Sequence, residues 1–370
     1  MNQLLYLDYQ ATTPLAPEAL EAMMPWLKDG FWNPHSVHAG GRRAAATVEA
    51  AREDVLAMMP LCGRLIFTSG ATEAINLALI GAMRAAPVGR RGIVTLASEH
   101  AAVLDTCRWL EREGCALTIL PVSGDGLVDP DDLAGAITDQ TAIVSAMLVN
   151  NEIGVIQPVD HIAEIARHRG ALFLCDAVQG LGRVTIPQGA DMIALSAHKI
   201  HGPKGIGALW LRDGVDIVPV LHGGGQEQGL RSGTLSPALC AGFGAAARVA
   251  KGRFDEDAAL ADALWERTRS LFSVWTLNGS AEMRYRGNLN LRREGLDVAR
   301  LMSDVRNVLF SAGSACASGS GRPSHVLQAI GLSDVQAKSS IRLGFGRYSS
   351  AEEIERAASL INAAADSQME

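Results

Sequence analysis

Through the first two-thirds of the chain, short runs of consecutive apolar residues alternate with longer stretches in which apolar positions recur every three or four residues. The runs at 65–68, 92–96, 117–120, 142–149, 171–175, 192–195 and 206–211 are short and continuously apolar, which predicts strands buried on both faces. The stretches at 18–28, 42–59, 73–84, 101–113, 130–137 and 159–169 carry the helical period and predict helices between them. Such alternation predicts an α/β layer fold whose mostly parallel sheet binds ligands beyond the carboxyl ends of its strands. The pattern changes at residue 237. One long helix over 237–272, strands at 288–291 and 340–343, and helices at 297–305, 325–330 and 351–365 predict a smaller α+β domain. The expected division is 15–253 for the large domain, with 1–14 packing beside 254–370 in the small one.

Composition narrows the class. Of 370 residues, 48% are apolar and 20% charged, the profile of a globular protein. A net charge of −7, with no basic block, argues against a nucleic-acid surface. No apolar run is long enough to span a bilayer, and the first residues lack the basic and oily regions of a secretory signal. The six cysteines are scattered with no C-x-x-C pair, which suits reduced thiols in a cytoplasm.

Candidate chemistry lies just after the apolar runs. Between 192–195 and 206–211 sit Ser196, His198, Lys199, His201 and Lys204. Taken alone, this reads better as a charged hairpin at a sheet edge, with Lys199 and Lys204 guarding against aggregation, than as a Schiff-base site. The other strand ends alter that reading. Ser69-Gly70-Ala71-Thr72-Glu73 opens a helix with a glycine turn, a geometry that presents backbone N–H groups to a phosphate. His100 follows 92–96, Asn150-Asn151-Glu152 follows 142–149, and Asp176 and Gln179 follow 171–175. A carboxylate ending a buried strand needs a cation, and a protonated pyridine nitrogen is one. A phosphate cradle, a histidine able to lie over a ring, an acidic partner for a ring nitrogen and a Schiff-base lysine are together the parts of a pyridoxal 5'-phosphate site. Metal ligation by His198 and His201, or by His35 and His38, has only the spacing in its favour, and no metal is expected.

These motifs, with Tyr6-Leu7-Asp8-Tyr9-Gln10-Ala11-Thr12-Thr13-Pro14, Arg231-Ser232-Gly233-Thr234, Gly313-Ser314-Ala315-Cys316 and Ser339-Ser340-Ile341-Arg342, make the sequence resemble the cysteine desulfurases of the NifS/IscS group, within the class V aminotransferases. The resemblance covers nearly the whole chain. It implies the fold of type I pyridoxal-phosphate transferases, with a large domain built on a mostly parallel seven-stranded sheet. It also implies conversion of L-cysteine to L-alanine. By resemblance, Lys199 holds the cofactor and shuttles the substrate proton, and Asp176 keeps the ring nitrogen protonated. His100 stacks on the ring as an acid/base, Gln179 and Asn151 bind around the ring hydroxyl and substrate, and Gly70, Ala71, Thr72, Ser196 and His198 grip the phosphate. Thr234 completes the phosphate site of a neighbouring subunit, which implies a homodimer. Arg342 clamps the substrate carboxylate, a task suited to guanidinium.

Cys316 separates this reaction from transamination. It lies in a run of small residues over 311–321, expected as a mobile loop with an exposed thiol that takes the sulfur as a persulfide. His100 is the expected aid to thiolate formation. The sulfur would pass to an acceptor protein, for iron–sulfur clusters or another sulfur-containing product. Selenocysteine lyase and plain aminotransferase are the enzyme alternatives, and a sulfur-relay scaffold the non-enzyme one. The sequence ends at Glu370, shortly after its last predicted helix, whereas housekeeping members carry a longer tail that docks the cluster scaffold, so the docking mode stays open.

Overall fold

The computed structural model describes residues 4–313 and 323–370. Seven strands hydrogen-bond into one sheet in the order Gly63–Thr68, Gly207–Arg212, Met192–Ser196, Leu172–Asp176, Thr141–Met147, Gly92–Leu96, Ala116–Leu120. All run in one direction except Gly207–Arg212, which is antiparallel to both neighbours. The connection from Ser196 to Gly207 is too short to hold a crossover helix, so the chain must turn back on itself. The hairpin therefore sits inside the sheet. That removes the reading of Lys199 and Lys204 as guards of a sheet edge, since neither strand of the hairpin is an edge strand.

Six of the strands are buried on both faces because they are apolar at consecutive positions. Ala116–Leu120, at the sheet's edge, is exposed at Ala116, Thr118 and Ile119, so the expected burial of 117–120 on both faces does not hold. Along Gly63–Thr68, Leu65 and Phe67 join one core with Val48, Val55, Phe173, Trp210 and Phe243. Ile66, pointing the other way, joins a second core with Ile75, Leu79, Ile93, Val103 and Leu209. Each such side chain contributes about 1.5–3 kcal/mol when withdrawn from water. The helices Ala39–Leu56 and Pro237–Gly252 cover the first face, and Ala71–Ala85 and Ala101–Arg112 cover the second.

A smaller antiparallel sheet has the order Ser311–Ala312, Ser340–Gly344, Asn288–Arg292, Thr276–Leu277. The helices Phe254–Leu271 and Ala351–Met369 pack on it through Leu264, Trp265, Ile354 and Ile361. The start of the chain returns to this layer: Leu5–Tyr6 pairs with Val308–Leu309, and Leu5 and Leu7 enter its core.

Two expectations need correction. The single helix over 237–272 is two, broken at Arg253 (φ −111°, ψ 12°). Gly252 weakens the first helix at its end by about 1 kcal/mol. Asp255, Glu256 and Asp257 open the second with charges suited to its N-terminus, two of them paired to Arg253. The other correction concerns the small-residue run. Its first residues, Ser311–Ala312, form a strand paired with Arg342 and Ile341, because ladder hydrogen bonds do not require bulky side chains.

Candidate active site

The co-directional strands deliver their carboxyl ends to one cavity of about 510 Å³, walled by both sheets. Gly70 begins one wall. Its backbone (φ 157°, ψ 177°) lies in a region that only glycine enters cheaply, and it leads directly into the helix Ala71–Ala85. Gly207 stands against it so closely that a Cβ there would lie 2.8 Å from the Gly70 Cα. The helix has no side-chain cap, and Ala71 and Thr72 of its first turn line the cavity, which brings the positive end of its dipole to this wall. Ser196 and His198 complete this wall. His198 Nδ1 lies 3.1 Å from the Thr12 hydroxyl. Burial, then the nearby Lys199 and Lys204, push the His198 ring down to about 4, so it is neutral at pH 7. The arrangement is a donor-rich cradle for a dianion.

At the floor, Asp176 ends its strand with one carboxylate oxygen accepting the Val178 N–H (3.0 Å). Burial raises its carboxyl, against the pull of His100, that N–H and Lys199. A cation placed on it would reverse the shift, which is what a protonated ring nitrogen offers. Beside it, Glu99 is fully buried and accepts the Met147 N–H at 2.6 Å. Burial, reinforced by Asp176, holds the Glu99 carboxyl well above the usual range. His100 caps the helix Ala101–Arg112, its Nδ1 accepting the Ala102 N–H at 3.1 Å. In the neutral ring, which burial favours, the proton is thus on Nε2.

Lys199 follows the strand Met192–Ser196 in a single 3-10 turn. Its Nζ donates to the carbonyls of Gln10 (2.5 Å) and Ala11 (2.8 Å). Gln179 donates from Nε2 to the same Gln10 carbonyl at 2.8 Å, so two site residues converge on one acceptor.

The small sheet supplies Arg342, whose guanidinium is buried. It pairs with Asp8 (2.7 Å) and donates to the Asn151 carbonyl (3.0 Å) and the Ser311 hydroxyl (3.1 Å). The Asn pair divides its work. Asn150 builds the turn, its side chain accepting the Glu152 and Ile153 N–H groups and donating to the Ser98 carbonyl. Asn151 lines the cavity, and its Oδ1 is buried with no hydrogen-bond partner among the described residues.

Gly70, Ala71, Thr72, His100, Asn151, Asp176, Gln179, Ser196, His198, Lys199 and Arg342 thus all line one cavity. Thr234 does not line it and is exposed. Cys316 lies outside the described residues, which resume at Pro323. Sequence reasoning assigned no role to Asp8, Gln10 or Ala11, although all three stand in the run at 6–14. Two of them act through backbone carbonyls, which leave no trace in residue type, and Asp8 acts on a cation more than three hundred positions away. The donor set fits pyridoxal 5'-phosphate: an uncapped helix start for its phosphate, Asp176 for its ring nitrogen and Lys199 for its aldehyde.

Comparison with known proteins follows the same line. The family model for aminotransferase class-V matches residues 5–357. The chain is 44% identical to a protein named cysteine desulfurase IscS from Rickettsia bellii (strain OSU 85-389), over 96% of this chain and 90% of the relative. Its fold is similar to that of a solved NifS-like protein, with a TM-score of 0.91, 31% identity, and coverage of 98% of this chain and 99% of the other. It is also similar to SspA, solved in complex with cysteine, with a TM-score of 0.83, 35% identity, and coverage of 93% and 99%.

Proposed function

The chain belongs to the aminotransferase class-V family, and on that premise we propose that it is a cysteine desulfurase using pyridoxal 5'-phosphate. The observation that carries the reading is that Arg342 lines the same cavity as Lys199, Asp176 and the helix start, which sets a guanidinium for a carboxylate beside the cofactor groups. Bound pyridoxal phosphate supplies an electron sink for bonds at the substrate's α-carbon. In this reading Gly70, Ala71, Thr72, Ser196 and His198 bind the phosphate. Asp176 holds the proton on the ring nitrogen. Gln179 and Asn151 orient the ring hydroxyl and substrate, and Arg342 orients the α-carboxylate. Lys199 Nζ would hold the cofactor by its aldehyde carbon and carry the α-proton, and His100 would donate or accept at Nε2.

Cys316 then acts as nucleophile. Its thiolate attacks the sulfur of the bound cysteine, an S–S bond forms, the substrate's C–S bond breaks, and its electron pair takes up a proton as alanine is released. The approach is supported by Gly313, the last described residue before Cys316, which donates to the Ser340 carbonyl two positions from Arg342. Residues 15–253 form the cofactor-binding domain, and residues 1–14 and 254–370 the domain that brings Arg342 and Cys316. We further read Thr234 as serving the site of a second copy, and the persulfide as passing to an acceptor protein. Among the described residues no helix is long and apolar enough to cross a membrane. The test is mass spectrometry of the Cys316 peptide after exposure to L-cysteine. One added sulfur is expected there, and a Cys316→Ala variant that still makes sulfide at the wild-type rate would sink the proposal.

A further inference from the structure

Behind Lys199 lies a cation that the reaction as described does not use. Arg183 follows the left-handed turn at Gly182 (φ 68°), where a Cβ would lie 2.9 Å from the Ala250 side chain. Its guanidinium is half-buried and rests over the Tyr285 ring, 5.3 Å from the centroid. From Nη1 it donates to the Gln179 side-chain carbonyl, and from Nη2 to the Lys199 main-chain carbonyl at 2.8 Å. No carboxylate among the described residues pairs with it. Asp257, which lines the same small hollow, is engaged by Arg347 (2.6 Å) and Arg253 (3.3 Å).

We propose that Arg183 is a positioning residue: its two-point grip orients the Gln179 amide and the Lys199 backbone, and its unpaired charge lies behind the Lys199 amine. The geometry leaves little choice. With Gln179 Oε1 taken by a guanidinium, the Nε2 group must turn to the Gln10 carbonyl, where Lys199 Nζ also donates. Reversing the amide would set two donors against each other at Arg183 and two acceptors against each other at the Gln10 carbonyl. Lysine in place of Arg183 keeps the charge, while glutamine keeps a donor and loses it. The groups facing Lys199 are Asp176, His100 and His198, with Lys204 on the cavity wall. Those facing Arg183 are Tyr285, Arg347, His198, His201 and, across the same hollow, Asp257. Asp257 is the one carboxylate among these, and it is paired to Arg347 and Arg253 rather than to Arg183, so the field of the Arg183 cation acts on the lysine amine and favours the unprotonated form.

The inference rests on Lys199 as the cofactor lysine, yet it is testable without turnover. The full chain, stripped of cofactor, is labelled with an amine-reactive probe across a pH series, and the Lys199 peptide is quantified by mass spectrometry. In Arg183→Gln the midpoint of labelling is expected to move up by about one pH unit, a tenfold loss of reactive amine at a given pH. In Arg183→Lys it should stay within a few tenths of a unit of wild type. A midpoint unmoved in Arg183→Gln overturns the proposal. Should that variant not fold, Arg183→Met, which also removes the charge, is read the same way: a midpoint about one pH unit higher supports the proposal, and an unmoved one overturns it. Failure of the desulfurase reading would show instead as no sulfur on Cys316, with the Lys199 labelling unaffected.

Discussion

The wall contributed by the seven-stranded sheet and the wall contributed by the four-stranded sheet reach the cavity by different physical routes. On the first, Ser69 to Thr72, His100, Asp176, Ser196 and Lys199 stand at or just after the ends of strands running in one direction. Their places follow from backbone pairing and from the core packed on each face of the sheet. On the second, a single group matters. Arg342 comes from the middle of a strand, and its buried charge is held by Asp8, the Asn151 carbonyl and Ser311, each from a different part of the chain. Groups on the first wall are held by a scaffold that stands without them. The group on the second wall is itself part of what holds the two layers together.

The largest effect is expected on the first wall and in activity alone. Lys199→Ala should lower sulfide production at least about 10³-fold, since it removes the proton carrier. Unfolding free energy should change by only about 1 kcal/mol, the worth of hydrogen bonds to the Gln10 and Ala11 carbonyls. Urea titration of the variant checks the second half. A loss of several kcal/mol would mean that the strand-end wall is no more independent of its groups than the other.

Arg342→Gln attacks the second wall and should register in both measurements. Removing one partner of the buried pair leaves Asp8 uncompensated, a cost of about 3 kcal/mol. The KM for L-cysteine should rise roughly 10–100-fold with the loss of charge-assisted hydrogen bonds to its carboxylate. Steady-state kinetics and a melting curve on the same preparation are sufficient. A raised KM with an unchanged melting curve would show that the buried Asp8 pair adds nothing to stability.

The smallest effect lies where the walls meet. Glu152 follows Asn151, and its carboxylate accepts the hydroxyl of Ser324, which caps the helix His325–Ala329. Burial raises its carboxyl to about 7, against the pull of Ser324 and Arg342. Because the folded state holds this proton more tightly than the unfolded state, stability is fully present below the unfolded value near 4.5 and is lost as pH rises to about 7. The loss is on the order of 3 kcal/mol. Glu152→Gln keeps an acceptor for Ser324 and cannot ionise, so its unfolding free energy should fall less between pH 5 and pH 8 than the wild type's. Equal slopes would remove Glu152 from the account.

Much of the first wall is legible before folding is considered, because a strand buried on both faces must be continuously apolar and the polar residue that ends it is then conspicuous. Asp176 and Lys199 stand out in that way. The hairpin from Met192 to Arg212 was legible as two strands but not as interior ones. Its place depends on Gly63–Thr68 adding outside it, a pairing between segments far apart in sequence. The break at Arg253 was hidden because the helical period continues through it, and only the acidic cluster that follows marks a new start.

The sequence by itself determined the layered α/β architecture, the family and the residues that carry the proposed chemistry, because periodicity and side-chain type are local properties. Only the tertiary structure decided that Asp8 neutralises Arg342, that the carbonyls of Gln10 and Ala11 receive Lys199, and that Arg183 grips Gln179 from behind. Those contacts depend on where a charge goes when water is removed. That is set by the nearest partner in space, which neither residue type nor spacing along the chain specifies.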